Sequence, residues 1–215
     1  MFWEPDIWTF VDASIGFNTV SGVRQGAYGF IHMVKDVRND ALFAQSSGIR
    51  LAKSRNIGLL EAAAMYDALT EINLMYPGPK ILIITDSNNV FHNIHGYLRY
   101  GIDPHKGLSD YDRLIMQCAE LYLWLKNHGK IVEMELCLAH CQPADQYTFL
   151  NKNGSPWVSG IQYAKHICCG NSLIDYYTNW TACHANPDQV QQYGNCSNLF
   201  TSNTEIGYGT LPGLR

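Results

Sequence analysis

No apolar run in this sequence approaches the about 18 residues that a membrane-spanning helix needs, and no basic segment leading into an apolar stretch opens it. Neither a spanning helix nor a signal peptide is expected, so the protein reads as cytoplasmic, without a membrane partner. A Cys-x-x-Cys pair is also missing. The seven cysteines, at 118, 137, 141, 168, 169, 183 and 196, are odd in number and irregularly spaced, which fits reduced thiols better than a disulfide framework. Excess positive charge is lacking too. With a formal net charge of −4, bulk electrostatics do not advertise a polyanionic partner. They argue little against one, because a local basic face or divalent cations at an acidic site can compensate. No internal repeat is present.

What the chain does have is enough apolar material for a full core. At 215 residues and 47% hydrophobic composition it suits one domain, residues 1–185, with an insertion at 141–169 and an irregular tail at 186–215 rich in Asn, Gln, Gly, Ser and Thr. The organising stretch is residues 80–94, KILIITDSNNVFHNI. Ile81 to Thr85 form a continuous apolar or β-branched run of the kind found in strands buried on both faces. Asp86 follows directly, Ser87 is placed to cap a helix, and Val90, Phe91 and Ile94 recur at helical spacing. Ligand sites in open α/β sheets form where strands end and helices begin, which places Asp86 for chemistry.

The remaining elements follow from periodicity. Residues 6–15 alternate and read as a first strand, with Trp8, Phe10 and Asp12 on one face. Residues 27–35 and 41–49 supply two further strands with short connections, an antiparallel meander. Residues 56–76 form the strongest helix. Its inward stripe of Met65, Leu69, Ile72 and Tyr76 begins, one turn earlier, with Glu61. A carboxylate facing a sheet costs a few kcal/mol unless a cation or hydrogen bonds compensate, although a helix N-terminus lowers that cost. Residues 95–107 read as a connection, followed by a second long helix capped near Ser109 and closed by Gly129. Residues 131–139 read as a fifth strand. A last helix spans 170–185, with Asn171 or Ser172 as cap and Leu173, Tyr177 and Trp180 on one stripe.

Asp12, Glu61 and Asp86 thus occupy related places, and they converge if strands one and four are neighbours beneath the first helix. Carboxylates without obligatory His or Cys suit hard, oxygen-preferring Mg²⁺ or Mn²⁺. Two such ions about 4 Å apart activate water and stabilise a leaving oxygen in phosphodiester cleavage.

The order of these motifs resembles the type 1 ribonuclease H family. The first-strand motif reads Asp12-Ala13-Ser14, then Asn18 and Tyr28-Gly29. The helix-borne Glu is Glu61, followed by Ala62, Ala63 and Ala64, and the fourth-strand motif is Thr85-Asp86-Ser87, with Asn88 two positions after the Asp. The resemblance covers about residues 6–185. It implies a ribonuclease H-like α/β fold: a five-stranded mixed sheet, three antiparallel strands then parallel additions, flanked by helices. It also implies a monomeric endonuclease that cleaves the RNA strand of an RNA/DNA hybrid with two Mg²⁺, or Mn²⁺, ions. Asp12, Glu61, Asp86 and Asp175 would hold the metals, and His140 would handle protons or product release. Asn18, Asn56 and Asn88 would contact the scissile strand, where 2′-hydroxyls distinguish RNA from DNA. The departure from the family is the long segment between His140 and Asp175, within which Asp145 competes as fourth carboxylate. A DNA-directed nuclease of the same fold, resembling a junction resolvase, and an inactive binding scaffold are the alternative functions. The cysteines and histidines near the insertion, including Cys137, Cys141, His166, Cys168, Cys169, Cys183 and His184, have no recognised zinc spacing, and a structural zinc is not expected.

Overall fold

The computed structural model describes residues 3–36, 41–75, 78–103, 105–137, 163–164 and 167–186. Strands β1 (Ile7–Phe17), β2 (Arg24–Asp36) and β3 (Ala41–Ala52) form an antiparallel meander, followed by α1 (Ile57–Leu74), β4 (Ile81–Thr85), α2 (Asn88–Tyr100), α3 (Asp110–Asn127) and β5 (Val132–Leu136). A two-residue strand β6 (Tyr163–Ala164) precedes α4 (Ile167–His184). The sheet order is β5-β4-β1-β2-β3-β6, with β4 and β5 running parallel to β1 and the others antiparallel to their neighbours.

Alternation along β1 and β4 assigns the two faces of the sheet. Ile7, Val11, Ile81 and Ile83 join Met65, Leu69 and Ile72 of α1 in one core, whereas Phe10, Leu82 and Ile84 join Leu173, Ile174 and Tyr177 of α4 in the other. Both faces of β4 are therefore dry, as the continuous run 81–85 requires, and all five of its residues are buried. Helix α1 is apolar nearly all round for the same reason. The sheet covers one side and α3 the other, close enough for the Cys118 thiol to donate to Ala62 O at 3.4 Å.

Several boundaries differ from the sequence reading, and a short edge strand is added to the five expected. β1 continues past residue 15 to Phe17 because β2 pairs with it as far as Arg24. α2 continues past Ile94 to Tyr100. The about 1 kcal/mol cost of Gly96 inside a helix is outweighed because Phe91, Tyr97 and Leu98 pack against the core. α4 begins at Ile167, so Asn171 and Ser172 lie inside the helix and do not cap it. Capping propensity is a local preference that tertiary packing overrides, and α4 lies against β1, β2, β3 and β6. The sheet has a sixth strand where five were expected, because β6 pairs with the edge of β3, whose backbone groups need partners.

Candidate metal centre

Register brings the first two carboxylates together. The parallel β1–β4 ladder ends at the pair Val11–Thr85, so Asp12 and Asp86 are the next residue on each strand. The strands diverge there: β1 runs on beside β2, while β4 turns through Ser87 into α2. Gly29, opposite Asp12 on β2, permits a close approach of β3, since a Cβ there would run into Gly48 O.

Glu61 comes from the second turn of α1, across the face held by Met65 and Leu69. Ser87 fixes it: its hydroxyl donates to Glu61 Oε2 at 2.6 Å and accepts from Val90 N at 3.4 Å, capping α2. Ligand oxygens of Asp12, Glu61 and Asp86 all lie within 4.8 Å of one another. Asp175 belongs to α4, on the opposite face of the sheet, and its charge reaches Asp12.

Electrostatics show what this proximity costs. Burial pushes the Asp12 carboxyl well above the ordinary aspartate range. The charges of Asp86, Asp175 and Glu61 add to that rise, and the Ala13 N–H, donating to Asp12 Oδ1 at 2.8 Å, opposes it. Burial also raises Glu61, against the Ser87 hydrogen bond, and the Asp86 charge raises it further. A divalent cation would relieve both effects. The donor set is entirely carboxylate oxygen, which suits Mg²⁺ or Mn²⁺.

The other expected site residues separate into three groups. Asn18 is fully buried and is not available to a substrate: its Nδ2 donates to Ala182 O at 2.9 Å and Ala185 O at 2.8 Å, and its Oδ1 accepts from Val20 N and Ser21 N. Its polar capacity is used up in tying the turn after β1 to the end of α4. Asn56 and Asn88 are exposed at the heads of α1 and α2, and Asn56 Oδ1 accepts from Leu59 N as the α1 cap. His140, Asp145, Cys141 and His166 lie outside the described residues.

Two neighbours of the cluster were missed in the sequence. The Tyr111 phenol feels the Glu61 charge and accepts a hydrogen bond from Asn93 Nδ2 at 2.9 Å, which ties the head of α3 to α2 beside the carboxylates. No local signal marks either residue, because only folding brings α3 to the head of α1.

No family model and no curated protein matches the chain. Solved structures do match it. The solution structure of the PFV RNase H domain aligns over 84% of this chain and 95% of that one, at 14% identity and a TM-score of 0.52. The native prototype foamy virus protease-reverse transcriptase aligns over 80% of this chain and 20% of its own, at 14% identity and a TM-score of 0.51. Likeness at these identities is likeness of fold, and the chain has a ribonuclease H-like fold.

Proposed function

We propose that this protein is a divalent-metal-dependent endonuclease that hydrolyses the RNA strand of RNA/DNA hybrids. The observation that carries the proposal is the convergence of Asp12, Glu61 and Asp86 within 4.8 Å where the β1–β4 ladder ends, on a fold shared with an RNase H domain. Asp12 and Asp86 would hold two Mg²⁺ or Mn²⁺ ions, and Glu61 and Asp175 would complete their shells. Bound there, the ions supply an activated water and charge stabilisation at the phosphate.

The chain's own groups do the rest. Ser87 keeps Glu61 turned toward the cluster, and burial of Asp12 excludes water from one side of it. Asn56 and Asn88, exposed at two helix heads, offer amides to the ribose and phosphate of the bound strand. His140 assists proton transfer or product release. No helix among the described residues is long and apolar enough to cross a membrane. We read the protein as a cytoplasmic monomer whose catalytic domain is residues 1–185, with 141–169 inserted and 186–215 appended.

The test is cleavage of matched RNA/DNA hybrid, double-stranded RNA and branched DNA with Mg²⁺, with chelator, and with Asp86→Asn. Hybrid cleavage that needs metal and falls by about 10³-fold or more in Asp86→Asn at unchanged circular dichroism supports the reading, since several kcal/mol of charge stabilisation is removed. Normal turnover in that variant overturns it. Cleavage of branched DNA alone would make the protein a DNA-directed nuclease, and metal binding without any cleavage would make it a scaffold.

A further inference from the structure

The even-numbered face of β1 reads α4 along nearly its whole length. Phe10 packs in the core that holds Leu173, Ile174 and Tyr177, and Asp12 feels the charge of Asp175. Ser14 Oγ lies 3.0 Å from Thr178 Oγ1. Gly16 meets Asn179, Ala182 and Cys183 so closely that a Cβ would run into Cys183 Sγ. Asn18 holds the carbonyls of Ala182 and Ala185. Just beyond, Thr19 N donates to Cys183 O at 2.8 Å.

Within this series, the Ser14–Thr178 contact is the one adjoining the carboxylates. Ser14 is the next residue after Asp12 on its face, and Thr178 is one turn after Asp175. Thr178 is fully buried, and its hydroxyl lies 3.0 Å from Ile174 O and 3.1 Å from Asp175 O. With its single proton donated to that preceding turn, Thr178 Oγ1 accepts from Ser14 Oγ–H. The chain of bonds therefore runs from the strand that carries Asp12 to the backbone of Asp175 itself. Asn18 secures the far end of the helix, and neither contact involves a group that a cation would bind.

We propose that Ser14 and Thr178 are positioning residues for Asp175: their hydroxyl pair sets the register of α4 on β1 so that the Asp175 carboxylate is presented to Asp12. This deepens, and rests on, the metal-dependent reading above. Their effect on metal passes through Asp175 alone. Serine in place of Thr178 keeps the hydroxyl and the function, whereas valine, of nearly the same shape, removes both.

The test is a mutant cycle read by Mn²⁺ binding in calorimetry, without nucleic acid. Ser14→Ala should weaken Mn²⁺ binding by about tenfold, as loss of an outer hydrogen-bond partner does. In an Asp175→Asn background the same substitution should change the affinity by less than about twofold, because the group it acts through is already neutral. Thr178→Ser should bind like the wild type and Thr178→Val like Ser14→Ala, and this second pair serves if Ser14→Ala does not fold. Equal weakening with and without Asp175, unchanged affinity in Ser14→Ala, or equal loss in Thr178→Ser and Thr178→Val overturns the proposal. A wild type that binds Mn²⁺ with this coupling but leaves hybrids intact removes only the nuclease reading. A wild type that binds no Mn²⁺ removes both.

Discussion

Ser87 Oγ lies 2.6 Å from Glu61 Oε2, so the hydroxyl that caps α2 also orients the carboxylate carried by α1. One short side chain links two helices to the end of β4. Ser87→Ala should therefore do two separable things. Loss of the cap should cost about 1 kcal/mol of stability in denaturant melts. Loss of the bond to Glu61 should raise that carboxyl's pKa further and weaken Mg²⁺ binding, which titration calorimetry reads. A variant that loses stability with unaltered metal affinity would reduce Ser87 to a cap.

The crowding at Asp12 predicts how stability depends on pH when metal is absent. Its carboxyl in the folded protein lies above the ordinary value of 3.8, chiefly through burial and then through Asp86, so the folded state binds this proton more tightly than the unfolded chain does. The resulting stabilisation is full below the unfolded value and is lost as pH rises through the raised folded one. In chelator, the Tm of the wild type should accordingly carry a falling component as pH rises from the unfolded value through the raised folded one. Asp12→Asn should remove that component and melt higher than wild type at the neutral end. Added Mg²⁺ should raise the wild-type Tm and leave that of the variant nearly unchanged. An unchanged pH profile in Asp12→Asn would mean that the burial of this carboxylate is compensated by something other than its proton.

Asn18 gives opposite expectations for a structural and a substrate-binding amide. Because it is fully buried and serves two carbonyls of α4, Asn18→Ala should cost about 3 kcal/mol by leaving buried polar groups unsatisfied. Chemical denaturation reads this directly. A raised KM for hybrid with unaltered stability would instead return Asn18 to the substrate surface.

Asp175 and Asp145 compete as the fourth carboxylate. Asp175 lies on α4 and its charge reaches Asp12, so Asp175→Asn should lower metal-dependent cleavage by about tenfold or more, and Asp145→Asn by much less. Paired kcat measurements across Mn²⁺ concentrations decide between them. Selective loss in Asp145→Asn would reverse the assignment.

Much of this was legible in the chain because burial leaves a periodic trace. The run Ile81 to Thr85 read as a strand dry on both faces, and the stripe through Met65, Leu69 and Ile72 marked the inward side of α1, with Glu61 at its head. Asp12 and Asp86 were visible as carboxylates set at strand positions where local pattern predicts a site. Their likeness to a known order of motifs then pointed to the fold. Gly96 and Asn171 misled for the same reason that the others succeeded. Each is a local preference, a break or a cap, that packing outside its own segment overrode.

What only the tertiary structure decided are the pairings between distant segments. Asn18 carries the same amide whether it faces a phosphate or the end of a helix, and its partners stand 164 and 167 residues away. The bonds between Ser87 and Glu61 and between Ser14 and Thr178 likewise join elements whose own periodicities say nothing of each other. Periodicity tells each element which side is buried. Which polar atom meets which is settled only when two buried faces dock, since a hydrogen bond depends on distances of a few tenths of an ångström that no local pattern encodes.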